Sequence, residues 1–348
     1  MDWENWMWIL RCPVCLGELI YNPVIFTCDA CKKSFPVHFG IPDFRLFPPN
    51  TLGYMSEAED LKISAELFDL HEKLSYEELV RIKIRRESGP LHIDQNLQDL
   101  YINWRLDNHS RAMQLTQWIQ DHGIVFEDSA NNTLGLDIGC GSGSGMATLL
   151  EIADAAVGFD LTISDLILAK SFLKKYYPGR DYFLFAGVAE HLPLASEVFS
   201  FVLARDVIEH VENQKQLLKE TCRVMLPRKY FLFNTGSRHL LLEPHTRLPC
   251  VGYLPRSLQP LYVRSARRCE YKVHLPSLWE LRRWLNESPF VGNWKIVPSK
   301  RIDLTSKPRT RQGRVARLIL GTMRSLGLLN MLNKLLALIS SYEVIIKK

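Results

Sequence analysis

Residues 136–145 read LDIGCGSGSG, an apolar strand running into four glycines at alternate positions. Without Cβ atoms the backbone there can turn sharply, and a ligand can approach it closely. A strand that ends this way and opens a helix begins a βαβ unit. The runs TLGLDIG, AAVGFD, DYFLFAG, FSFVLARD, YFLFNTG, WKIVPSKRI and SYEVIIKK read as strands, with helical stretches at 145–153, 163–177 and 212–225 between the early ones. Such alternation predicts an α/β fold on a mostly parallel sheet, with ligands at the strands' carboxyl ends.

The glycines alone leave a dinucleotide, a phosphate or a ligand without phosphate open. No Lys-Ser/Thr pair follows them, which excludes a phosphate-cradling P-loop. Asp137 precedes the glycines, where it would repel a pyrophosphate but not an ammonium or a sulfonium. Asp160 ends the next strand, 17 residues beyond Gly143, where a carboxylate can accept ribose hydroxyls. This order fits S-adenosylmethionine better than NAD or ATP.

The pieces LDIGCGSG, VGFDLT, GVAEHLPLASEVFSFV, DVIEHVEN and LLKETCRVMLP, in this order over residues 132–235, resemble class I S-adenosylmethionine-dependent methyltransferases. The resemblance implies a Rossmann-like seven-stranded methyltransferase sheet, with SYEVIIKK as its last strand. It also implies that Asp137 meets the methionine amino group and that the backbone of Gly139, Cys140, Gly141 and Gly143 lies along the methionine. Asp160, with Leu161 beside it, would hold the ribose, and Val188, Ala189 and Glu190 would frame the adenine. Arg205, at the fourth strand's tip, belongs to the same cofactor set. Two positions depart from the family. Val188 stands where an acid usually bonds the adenine amino group, and Pro227-Arg228-Lys229 replaces a Pro-Gly-Gly turn.

Methyl transfer needs alignment and a dry pocket, and a base only where the acceptor must lose a proton. The acceptor-side candidates are therefore groups after the fourth and fifth strands. ARDVIEH supplies Asp206, Glu209 and His210, and a Glu-His pair also lies near the acceptor in ubiquinone-type O-methyltransferases. A packed or helix-capping role for His210 stays open. After the fifth strand, a long proline-punctuated loop carries His239, Glu243 and His245. Long loops at this end of a sheet are often functional. Glu243 and His245 are expected to line the acceptor pocket, against the alternative of a lid with polar surface residues.

The N-terminus carries Cys12-x2-Cys15 and Cys28-x2-Cys31. Two residues between cysteines let both thiolates face one ion, and two such turns complete a tetrahedral sulfur shell, which suits structural Zn2+. An iron site or a redox dithiol pair is the alternative. Between the turns LIYNPVIFTC reads as a hairpin. Residues 10–45 resemble the small zinc-ribbon proteins that activate tRNA and release-factor methyltransferases. Trp3, Trp6 and Trp8 are expected to pack on the ribbon. Cys140, Cys222, Cys250 and Cys269 are scattered, so a disulfide framework is not expected.

These readings divide the chain into a zinc ribbon at 1–45, a helical linker or cap at 46–125 and a methyltransferase domain at 126–348. The last includes a substrate-loop insertion at 236–275 and basic amphipathic helices at 311–340. Nothing in 46–125 declares chemistry. Residues 256–324 hold 16 Lys/Arg against 4 Asp/Glu, so the C-terminal third favours an anionic neighbour. The helices at 311–340 suit peripheral contact with an anionic membrane, or else cap the site or pair two subunits. Two acids, Asp2 and Glu4, and no basic residue stand ahead of the apolar stretch at 6–10, and no apolar run reaches the ~20 residues of a membrane span. A cytoplasmic location, peripheral to the membrane where 311–340 touch it, is expected. The first functional expectation is methyl transfer to a small-molecule or lipid-linked acceptor. An RNA methyltransferase, bringing nucleic acid as partner, and a non-catalytic scaffold are the alternatives.

Overall fold

The structure, a computed structural model, describes residues 3–46, 55–87, 95–124, 133–298 and 340–348. Strands β1 (Leu19–Asn22), β2 (Ile25–Cys28), β3 (Ser34–His38) and β4 (Ile41–Pro42) form an antiparallel sheet in sequence order. The expected hairpin is present, with Asn22 paired to Ile25. The two cysteine turns fold alike. Leu16 N–H donates to the Cys12 carbonyl and Lys32 N–H to that of Cys28, with Leu16 and Lys32 both left-handed at φ 60° and 59°. The four sulfurs lie within 4.8 Å of one another.

Four helices follow: α1 (Glu57–Leu70), α2 (Tyr76–Arg86), α3 (Gln95–Leu106) and α4 (Asn108–Asp121). Ser56 with Glu59, and Ser75 with Glu78, close capping boxes at the first two, so local chemistry sets where these helices begin.

The α/β unit then runs β5 (Leu134–Ile138), α5 (Ser144–Ile152), β6 (Ala155–Asp160), α6 (Ile163–Tyr176), β7 (Asp181–Ala186), β8 (Phe199–Arg205), α7 (Gln214–Val224) and β9 (Met225–Thr235). Two helices, α8 (Gln259–Arg267) and α9 (Leu278–Asn286), precede β10 (Trp294–Pro298) and β11 (Tyr342–Lys347). The seven strands are ordered β10-β11-β9-β8-β5-β6-β7. The five from β9 to β7 are parallel, while β11 runs antiparallel to both β9 and β10. Every residue of β5 is buried, as a central parallel strand with both faces covered requires. This is the α/β, Rossmann-like methyltransferase sheet that the motif order implied. Between β5 and β8 the connections turn to opposite sides, which opens a crevice at the strand tips.

The ribbon docks on the sheet's edge. Asp43 forms a parallel bridge to Ala186 of β7, and Leu10 an antiparallel one to Leu194. One hydrophobic core runs through both pieces, taking in Phe26, Phe35 and Phe44 of the ribbon with Phe183, Phe185 and Leu194 of the sheet unit. Trp6 stacks on Phe183 with ring centroids 5.7 Å apart, and Trp8 is exposed. Trp6 thus packs on the sheet's edge within the core that the two pieces share, and Trp8, contrary to expectation, stays exposed. Pro227, Arg228 and Lys229 fall within β9, with Arg228 at φ 63°. There the β8 pairing shifts register between Phe199 and Phe201, so the segment bulges a strand instead of forming a separate turn. The helices expected at 311–340 lie outside the described residues. Among the described residues no helix is long and apolar enough to cross a membrane.

Candidate active site

A cavity of about 520 Å³ opens at the carboxyl ends of β5, β6 and β8 and is walled on its far side by α3 and α4. Asp137, Gly139, Cys140, Gly141, Asp160 and Arg205 line one part of it, and Asp206, Glu209, His210 and His245 another.

The glycines there act by geometry. A Cβ on Gly145 would lie 2.4 Å from Asp137 Oδ2, and one on Gly139, at φ +68°, would lie 2.5 Å from Val207. At Gly141, with φ +48°, no atom stands within 4 Å of such a Cβ, so that glycine keeps space open along the cavity. Asp137 is buried, and its Oδ2 meets no hydrogen-bond partner. Burial first, and the charge of Asp160 second, push its carboxyl up to about 8. Asp160 is held on both oxygens. Gly141 N–H donates to Oδ2 at 2.9 Å, and Thr162 donates to Oδ1 from N and Oγ1, each at 3.0 Å. Each carboxylate oxygen has a further lone pair, and Asp160 still lines the cavity. Arg205 is fixed by Glu343 of β11, with Nη2 3.0 Å from Oε1.

The helical segment builds the opposite wall, although nothing in its sequence declared chemistry. Buried Asn108 donates through Nδ2 to the carbonyl and Oγ of Ser142, both at 2.9 Å, and so ties α4 to the glycine loop. Asp60 of α1, fully buried, accepts from Ile163 N–H at 2.8 Å and Ser164 N–H at 3.2 Å, capping α6 from a distant part of the chain. Asp165 receives Lys83 Nζ at 3.0 Å, Arg105 Nη1 at 2.5 Å and Thr162 Oγ1 at 2.8 Å. Burial would raise its carboxyl, but Arg105 and Lys83 overcome this and hold it well below the usual range. Leu100, Tyr101, Trp104, Arg105 and Arg111 face the cavity, and Arg111 sits 3.7 Å over the Trp104 ring.

On the acceptor side, His210 Nε2 and His245 Nε2 stand 3.1 Å apart with their rings at 87°. His245 Nδ1 lies 2.7 Å from Glu243 Oε1, and Glu243 Oε2 accepts from Thr246 N–H at 2.5 Å and Oγ1 at 2.7 Å. Burial opposes charging of His245, but the bond to Glu243 and its charge raise the imidazole. His210 lines the cavity, and desolvation, then His245, lower its imidazole to about 3. Glu209 is 1% exposed with Oε2 unpartnered. Burial and Asp206 raise its carboxyl to about 7.

Ten of the seventeen residues singled out from the sequence as cofactor-side or acceptor-side candidates line this one cavity. Seven do not. Glu243 stands behind His245 as its partner. Gly143, at φ +100°, packs against Phe172 and Ala169. Glu190 turns away to accept from Glu212 and Asn213 N–H. Leu161, Val188 and Ala189 lie outside the lining. His239 meets Tyr253 instead. The wall residues Tyr101, Trp104, Arg105 and Arg111 were missed, although Tyr101 with Trp104 and Arg105 in α3, and Asn108 with Arg111 in α4, show the three- and four-residue spacing of a helical face.

Residues 136–233 match a family model described as "Methyltransferase domain". A "Probable S-adenosylmethionine-dependent methyltransferase" of Mycolicibacterium smegmatis is 29% identical over 144 residues, 40% of this chain and 53% of that protein. A ubiquinone biosynthesis O-methyltransferase of Azorhizobium caulinodans is 32% identical over 103 residues, 30% of this chain and 40% of that protein. The chain therefore spans about half or less of the length of these curated relatives. Among solved structures, a SAM dependent methyltransferase from Archaeoglobus fulgidus is 16% identical with a TM-score of 0.39, covering 68% of this chain and 94% of that one.

Proposed function

From the premise of a class I S-adenosylmethionine-dependent methyltransferase domain at residues 136–233, we propose that the chain methylates a hydroxyl of a small-molecule or lipid-linked acceptor. The observation that carries this is one cavity shared by a cation-seeking carboxylate and a His-Glu cluster. S-adenosylmethionine supplies, when bound, a methyl group activated by a sulfonium.

The chain's own residues fit that ligand. Asp137 Oδ2, buried without a partner, is an acceptor for an ammonium. The glycine loop lets an unbranched chain lie along the backbone, and Asp160 keeps lone pairs for ribose hydroxyls. Arg105 and Arg111 are both engaged elsewhere, the first by Asp165 and the second over Trp104. They rigidify the wall and help to exclude water. Across the cavity Asp206, Glu209, His210 and His245 face the acceptor and can take up the proton of a hydroxyl. The name of the Azorhizobium caulinodans relative, an O-methyltransferase, supports oxygen as the atom methylated.

Cys12, Cys15, Cys28 and Cys31 hold one structural zinc in this reading. Ligands about 2.3 Å from a tetrahedral zinc sit about 3.8 Å apart, and two of the sulfur pairs stand at 3.6 and 3.5 Å.

S-adenosylhomocysteine is expected to bind in the micromolar range, about −8 kcal/mol. Calorimetry that detects no heat at protein concentrations tens of times higher would refute the assignment. Mass spectrometry of metabolite and lipid pools incubated with labelled cofactor would then identify the acceptor.

A further inference from the structure

We propose that Glu209, His210 and His245 hold a divalent cation of the zinc class, separate from the four-cysteine site. One ligand atom from each of the three lies within 4.8 Å of the others. Two ligands about 2.05 Å from a tetrahedral zinc stand about 3.3 Å apart, and the two Nε2 atoms are 3.1 Å apart.

The surroundings fit a metal site better than a hydrogen-bonded histidine pair. In such a pair one Nε2–H donates to the other nitrogen, and Glu209 Oε2, buried, is left with nothing to accept from. A cation satisfies all three atoms at once. His245 is already arranged as metal-bound imidazoles usually are, with Nδ1–H given to a carboxylate that fixes ring and tautomer. That carboxylate, Glu243, is itself held by Thr246. With three protein ligands, the fourth position faces the cavity and is open, as in catalytic zinc sites.

What the cation would do rests on the methyltransferase reading. A hydroxyl oxygen of the acceptor takes the open position, its O–H bond breaks, and the electron pair stays on oxygen. The proton passes to the carboxylate of Asp206, which lines the same cavity, and from there to water. Metal coordination makes that ionisation accessible near neutral pH.

The test counts metal on the full chain. After saturation with zinc and desalting, the wild type is expected to retain two zinc ions and the His210→Ala/His245→Ala variant one. Both should bind S-adenosylhomocysteine with similar affinity, which shows that the variant is folded. With cobalt, the four-thiolate site gives intense sulfur charge-transfer absorption, whereas the second equivalent adds only weak visible bands. Glu243→Gln, which keeps shape and touches no metal, should weaken that second equivalent about 10–100-fold. One metal in the wild type, or two in both proteins, overturns the site. So does unchanged second-cobalt affinity in Glu243→Gln, which decides the matter if the double variant does not fold. A wild type that binds S-adenosylhomocysteine but one metal refutes only this site. Two metals without S-adenosylhomocysteine binding refutes the methyltransferase reading instead.

Discussion

At the scale of single residues, the most informative group is Asp137. Its folded pKa of about 8 lies above its ordinary 3.8, so the fold favours the protonated carboxyl. The resulting contribution to stability is complete below about pH 4 and is lost as pH rises through about 8. Before ligand binding, the melting temperature should fall between pH 5 and 8.5, and Asp137→Asn should remove that residue's share of the slope. An ammonium ligand reverses the preference. Binding of S-adenosylhomocysteine at pH 7 should therefore release close to one proton, read as a dependence of the calorimetric heat on buffer ionisation enthalpy. Equal heats across buffers would contradict this. Asp137→Asn should also weaken binding about 10–100-fold, through loss of a charge-assisted bond worth about 1.5–3 kcal/mol.

At the scale of elements, helix starts show how local and distant chemistry divide the work. Ser56 and Ser75 cap their own helices through neighbours three residues on, a pattern written in the sequence. The start of α6 is capped by Asp60, more than one hundred residues earlier. No local pattern reports such a cap. Asp60→Ala leaves two buried N–H groups unsatisfied and should cost about 2 kcal/mol in urea unfolding, against about 0.5–1 for the exposed Ser56→Ala. Equal losses would mean that the Asp60 contact adds nothing. The same division explains the missed wall. The segment 97–123 was legible as helical, yet Tyr101, Trp104, Arg105 and Arg111 acquire a role only where α3 and α4 meet the strand tips.

At the scale of the whole molecule, the ribbon and the sheet share one core, through Phe26 and Phe44 on one side and Phe183 and Phe185 on the other. A four-stranded piece of this size cannot bury enough surface to stand alone, and in the proposed reading a metal on its four cysteines holds it together. Cys28→Ser should therefore lower the melting temperature of the entire chain in a single transition. An unchanged main transition, with only a small early one lost, would show that the two pieces fold independently.

The sequence by itself determined the strands of the large sheet and the helices that alternate with the early ones. Apolar runs, glycines after β5 and acids at the ends of β5 and β6 are short-range signals, and each reports a backbone that must turn, pair or meet a charge close by. The clustering of Cys12, Cys15, Cys28 and Cys31 was legible for the same reason, since the spacing within each pair is local. The tertiary structure decided which of the named residues share a site. It brought His210 within 3.1 Å of His245 and set Glu243 behind that histidine. It also left Val188, Ala189 and Glu190 off the cavity and put α3 and α4 on it. Those placements depend on how far apart packed elements end up, and a property of pairs distant in the chain leaves no periodic trace in either segment.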